Sequence, residues 1–82
     1  MELKQNPFGD YLVYKNGVNK GYSLKLFNMH KVFTRKGVPI GCILKRDDYY
    51  ISYDLMGNTI SQGSFEDMLL GFFQQKKGCK KV

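Results

Sequence analysis

The chain has 82 residues, 43% hydrophobic and 24% charged, with thirteen Lys and Arg against seven Asp and Glu, a net charge of +6 and a pI near 9.4. A domain of this size removes only about 60–65% of its unfolded surface from water, enough for one hydrophobic core and too little for two. Six Tyr and six Phe exclude a disordered polyelectrolyte, and no run approaches the roughly 18–20 apolar residues of a membrane span or the h-region of a signal peptide. The expectation is one cytoplasmic globular domain over residues 1–75 and a basic flexible tail over 76–82.

Turn signals recur at Gly9-Asp10, Asn16-Gly17, Lys20-Gly21, Lys36-Gly37, Asp47-Asp48 and Gly57-Asn58, because Gly, Asn and Asp accept positive φ or bond their own backbone. Between them lie runs rich in β-branched and aromatic residues at 11–14, 22–27, 32–35, 40–45, 49–55 and 59–62. They predict an α+β, mostly β fold without internal repeats. Its sheet is an antiparallel meander of about five to six short strands, with barrel-like closure as one form of it, packed against one C-terminal helix.

Residues 24–36 read two ways. At a period of 3.6, Leu26, Met29, His30 and Phe33 share one face and Lys25, Asn28, Lys31 and Arg35 the other, as in a basic amphipathic helix. The run Val32-Phe33-Thr34 favours sheet and Asn28 favours a turn, so strand, turn and strand is the expected form. Farther on, Pro39 suits a strand start and Ile40, Cys42 and Leu44 share one face. In 49–55 the alternation assigns Tyr49, Ile51, Tyr53 and Leu55 to the core.

The helix begins after Ser64, which can cap it with Asp67 at N3 in a variant of the capping box. Phe65, Met68, Leu69, Phe72 and Phe73 follow as one apolar stripe. Lys76 and Lys77 would stand at its negative end and Gly78 would stop it.

Groups for catalysis are scarce. His30 has no partner at metal-ligand spacing, Cys42 and Cys79 form no zinc pattern with it, and no phosphate-binding glycine loop is present. Asp47 and Asp48 read as a solvated turn, Cys42 as a buried apolar thiol and Cys79 as an unpaired surface thiol. The expectation is a protein that is not an enzyme and takes no cofactor and no metal.

Charge is uneven along the chain: +7 over residues 1–46, −5 over 47–67 and +4 over 68–82. Such a dipolar chain speaks to association with polyanions rather than to fold. Lys25, Lys31, Arg35, Lys36, Lys45 and Arg46 surround a predicted hairpin and are candidates to contact nucleic-acid phosphates, with Tyr50 as a base-stacking ring. The alternative is a protein-interaction module, such as a phage-type inhibitor or regulator, that meets its partner through a strand edge or the acidic segment 47–67. Neither reading involves a membrane.

Overall fold

A computed structural model describes residues 1–74. Seven strands follow in chain order, β1 (Glu2–Gln5), β2 (Tyr11–Lys15), β3 (Val18–Leu26), β4 (Met29–Thr34), β5 (Pro39–Lys45), β6 (Tyr50–Tyr53) and β7 (Thr59–Gly63), and then a helix, α1 (Phe65–Gly71). They hydrogen-bond in that order as one antiparallel sheet, the expected mostly β meander with a C-terminal helix. The residues between 24 and 36 are strand, turn and strand: Leu26 pairs with Met29 across Phe27-Asn28. Two corrections concern local elements. Lys20-Gly21 lies inside β3 rather than in a turn, and β1 is a strand that the pattern of ELKQ does not announce. Pairing of Glu2–Gln5 with Tyr14–Tyr11 makes it one.

The expectation of no internal repeat is also corrected. Hairpins β2–β3, β4–β5 and β6–β7 each shift register once, beyond the pairs Val13↔Gly21, Val32↔Gly41 and Ser52↔Ser61. The extra residues are Lys20, Ile40 and Ile60, and the turns between the strands carry positive-φ Gly17, Gly37 and Gly57. Each set recurs every 20 residues. A bulge raises local twist and bends its strand, so every second strand is bent at the same end. The sequence carries the period as Gly17-Val18 with Gly21 and Gly37-Val38 with Gly41, and in the third hairpin as Gly57 with Ser61 in the place of the second glycine.

One sheet face is covered by α1. Val13, Val32 and Ile43 form its core with Met68 and Leu69, beside fully covered Ser23 and Ser52. Small residues prevail here because the helix comes close. A Cβ on Gly21 would collide with the Phe73 ring and the Phe33 carbonyl, and one on Gly41 with the Phe72 ring and the Tyr53 carbonyl. The expected alternation of residues 40–55 is therefore reversed. Ile43 and Ser52 pair beneath α1, whereas Cys42 pairs with Tyr53 and Leu44 with Ile51 on the opposite face, where Cys42 is half-buried. Ile40 alone of its expected set packs against the core, as the bulge residue. Tyr49 and Tyr53 are half-buried, and Leu55 is exposed in the following turn.

Ser64 caps α1 as expected: its Oγ accepts the Asp67 N–H at 3.1 Å. The helix is shorter than its apolar stripe. At its end Phe72 donates to the Leu69 carbonyl at 3.2 Å, and no cation stands in the last turn. Lys76, Lys77, Gly78 and Cys79, with the rest of the expected tail, lie outside the described residues.

Close approach of α1 makes a specific prediction. Gly41→Ala and Gly21→Ala each lower stability by about 1–3 kcal/mol through overpacking. Gly71→Ala, whose Cβ meets nothing within 4 Å, leaves it unchanged or raises it by up to about 1 kcal/mol. Thermal melts of the three variants beside the parent chain check the order.

Candidate functional site

An antiparallel meander gathers alternate turns at opposite ends. Turns β2–β3, β4–β5 and β6–β7 lie at one end; turns β1–β2, β3–β4 and β5–β6 lie at the other, with the start of α1. Charge divides between these ends. Lys15, Lys20, Arg35 and Lys36 stand at the first, where Asp54 in the β6–β7 turn and Glu2 at the start of β1 are the carboxylates. At the second, Lys25, Lys45 and Arg46 share space with Asp10, Asp47, Asp48, Glu66 and Asp67. The acidic segment 47–67 is thus split by the fold and forms no single patch.

The seven residues expected to contact nucleic acid fall into three places. Arg35 and Lys36 sit on the β4–β5 turn and, with Lys20, Asn19 and Thr34, line one shallow depression. The turn is closed by the Gly37 N–H donating to the Thr34 carbonyl at 2.9 Å and the Val38 N–H to Thr34 Oγ at 3.2 Å. Lys31 stands apart, on the sheet face opposite α1, beside Cys42 and Leu24. Lys25, Lys45, Arg46 and Tyr50 occupy the acidic end. Lys15 and Lys20 were not singled out from the sequence, although the Asn16-Gly17 turn sets their hairpin beside the strand that leads to Arg35.

At the acidic end, Asp10 ties two turns together. Its carboxylate accepts the Lys25 backbone N–H at 2.8 Å and the Asn6 side-chain amide at 3.2 Å. These donors, Lys25 first, hold its pKa below the ordinary carboxylate value. Lys25 Nζ in turn donates to the Phe27 carbonyl at 3.1 Å. The consequence is two rings held in solvent: Phe8 is 81% and Phe27 96% exposed. Phe27 also has φ of 54°, a conformation that costs a bulky residue about 1–3 kcal/mol.

Behind these turns lies an aromatic cluster. The Phe65 ring is 4.5 Å from His30, 4.9 Å from Tyr11 and 5.4 Å from Tyr50, and Lys45 Nζ lies 5.2 Å over the Tyr50 ring. Tyr50 is therefore half-buried and engaged within the fold. His30 Nδ1 is buried without a hydrogen-bond partner among the described residues. Burial, and then nearby Lys25, push its pKa below the ordinary value of 6.5.

The chain matches no family model, no curated protein and no solved structure. Geometry alone carries the functional reading. Among the described residues no group of three or more His, Cys, Asp and Glu could hold a metal ion, and no helix is long and apolar enough to cross a membrane.

The His30 environment predicts a pH dependence. Above 6.5 the imidazole is neutral in folded and unfolded chains; below it, the unfolded chain takes up a proton that the folded chain resists, so stability falls with pH. Tm drops between pH 7 and pH 5, and His30→Phe, which keeps a ring in the cluster, flattens that drop. Asp10 acts on the acid side of 3.8, where loss of its charge removes stability, and so leaves this window clear.

Proposed function

We propose that this chain is a small basic binding protein without enzymatic activity, and that it engages nucleic acid through phosphate contacts at the end bearing Lys15, Lys20, Arg35 and Lys36. The observation that carries the reading is the depression shared by Lys20, Arg35 and Lys36. Three cations from two adjacent hairpins converge there, separated from most of the carboxylates by the length of the strands. The sequence after the described residues adds Lys76, Lys77, Lys80 and Lys81 to the positive charge of the chain. Phosphate contacts position a protein without reading bases, so a low sequence preference is part of the proposal.

Lys25, Lys45 and Arg46 have a smaller part in this reading than the linear sequence suggests. Carboxylates at their end of the sheet oppose the approach of a polyanion. Protein interaction is the second reading, favoured by the apolar sheet face that α1 leaves uncovered.

A salt titration of binding to single- and double-stranded DNA and RNA tests the first reading. Four phosphate contacts give a slope of log K against log salt near −3, about 0.7–0.9 for each phosphate neutralised. Lys20→Ala, Arg35→Ala and Lys36→Ala each make the slope shallower by nearly one such step, whereas Lys45→Ala and Arg46→Ala leave it close to the parent value. Absence of binding at low salt, or one slope for all five variants, refutes the assignment.

A further inference from the structure

We propose that the sheet face opposite α1 docks an acidic amphipathic α-helix of a partner protein, laid across the strands. The proposal is independent of the nucleic-acid reading, since it uses another surface and its test contains no nucleic acid.

Exposure on this face is unusual for apolar residues. Leu12, Leu24 and Leu26 are 43%, 37% and 43% exposed, and the half-buried pairs Leu44–Ile51 and Cys42–Tyr53 extend the surface. Seven strands at about 4.8 Å and about six residues at about 3.3 Å span roughly 34 by 20 Å, or about 700 Å² before side-chain relief. That approaches the about 800 Å² that each partner contributes to a stable interface. Exposed apolar side chains gathered on one face, rather than scattered singly, mark an interaction site.

The hairpin repeat specifies the shape of the occupant. Tyr14, Phe33 and Tyr53 hold corresponding places on β2, β4 and β6, and the register sets Phe33 level with Leu12 and Tyr53 level with Lys31, so the three rings run on a diagonal of two strands and two residues per step, about 12 Å apart. A helix rises about 10.5 Å in seven residues, so apolar side chains at i, i+7 and i+14 of a helix laid along that diagonal come within about 2–3 Å of successive rings. A second copy stacked face to face would match the strand spacing equally well. Charge decides against it: β4 is the middle strand of seven and Lys31 lies within it. A two-fold axis at the centre of the face would bring two Lys31 ammonium groups together. Lys4, with Nζ 5.6 Å over the Tyr14 ring, adds positive charge to the same face, where Glu2 is the strand carboxylate among the described residues. The segment beyond Gln74 is itself basic and would add like charge. A carboxylate opposite Lys31 is what the face lacks.

The test titrates isotope-labelled full-length chain with a synthetic 21-residue amphipathic peptide that carries Leu along one face at heptad spacing and Glu along its flanks. Its twin has Lys at each Glu position. Amide shifts are expected at Leu12, Leu24, Lys31, Phe33 and Tyr53, with the acidic peptide binding about tenfold or more tightly than its twin. Lys31→Glu reverses that preference, and Lys31→Met narrows it should the charge reversal fail to fold. Leu24→Asp, checked by its melt, removes binding of both peptides. Four outcomes overturn the proposal: no binding at millimolar peptide, equal affinity for the twins, shifts outside this face, or a dimer by sedimentation that buries the same residues. Nuclear Overhauser contacts from residues 76–82 to Leu24 or Tyr53 in the free chain would assign the face to the tail and overturn it as well.

Discussion

The rings of Phe73 and Phe72 occupy the space that side chains at positions 21 and 41 would need. Much of the architecture depends on that proximity. A helix of seven residues is unstable alone and forms here because it is capped by Ser64 and pressed onto the sheet through Met68 and Leu69. With so short a helix, the buried core is limited to a few side chains, and it gains by packing aromatic rings deep into a floor of Gly and Ser. The floor has to be small for the rings to be large.

The same constraint shapes the opposite face. Strand residues alternate, so when Gly41, Ile43 and Ser52 face α1, Cys42, Leu44, Ile51 and Tyr53 face away from it. Large apolar side chains thus accumulate on the uncovered side. Tyr22 and Phe33 show the consequence: their rings stack at 5.1 Å and 15°, covering each other where no other element among the described residues covers them. An open apolar face is therefore the counterpart of a tightly fitted closed one.

Turn chemistry governs the ends as packing governs the faces. At one end, positive-φ Gly37 and the Thr34 bonds hold a short loop from which Arg35 and Lys36 project. Asp54 braces the neighbouring β6–β7 turn by accepting the Met56 and Asn58 N–H groups at 2.9 Å, and these bonds, Asn58 first, keep its pKa low. At the other, the Asp10 and Lys25 bonds hold Phe8 and Phe27 outward. The result is a molecule with a cationic end, an acidic aromatic end, a closed face and an apolar open face. Each surface has its own chemistry, and an association that uses one leaves the others free.

The sequence by itself determined the class of the fold, the β meander, most turns and the capped start of the helix, because these depend on residues close together in the chain. Asn16-Gly17 makes its turn and Ser64 caps its helix whatever lies across the sheet. Tertiary structure decided what depends on contacts between distant segments. It made a strand of Glu2–Gln5 by pairing, ended α1 after Gly71, and turned Ser52 inward and Tyr53 outward because the helix needed space more than hydrophobicity. It also sorted the candidate binding residues. Lys25 and Lys31 are close in sequence yet lie on opposite faces, while Lys20 and Arg35 are brought together by the pairing of β3 with β4. Linear charge runs cannot reveal that division, since strand reversal and the two-residue side-chain period decide where each charge emerges.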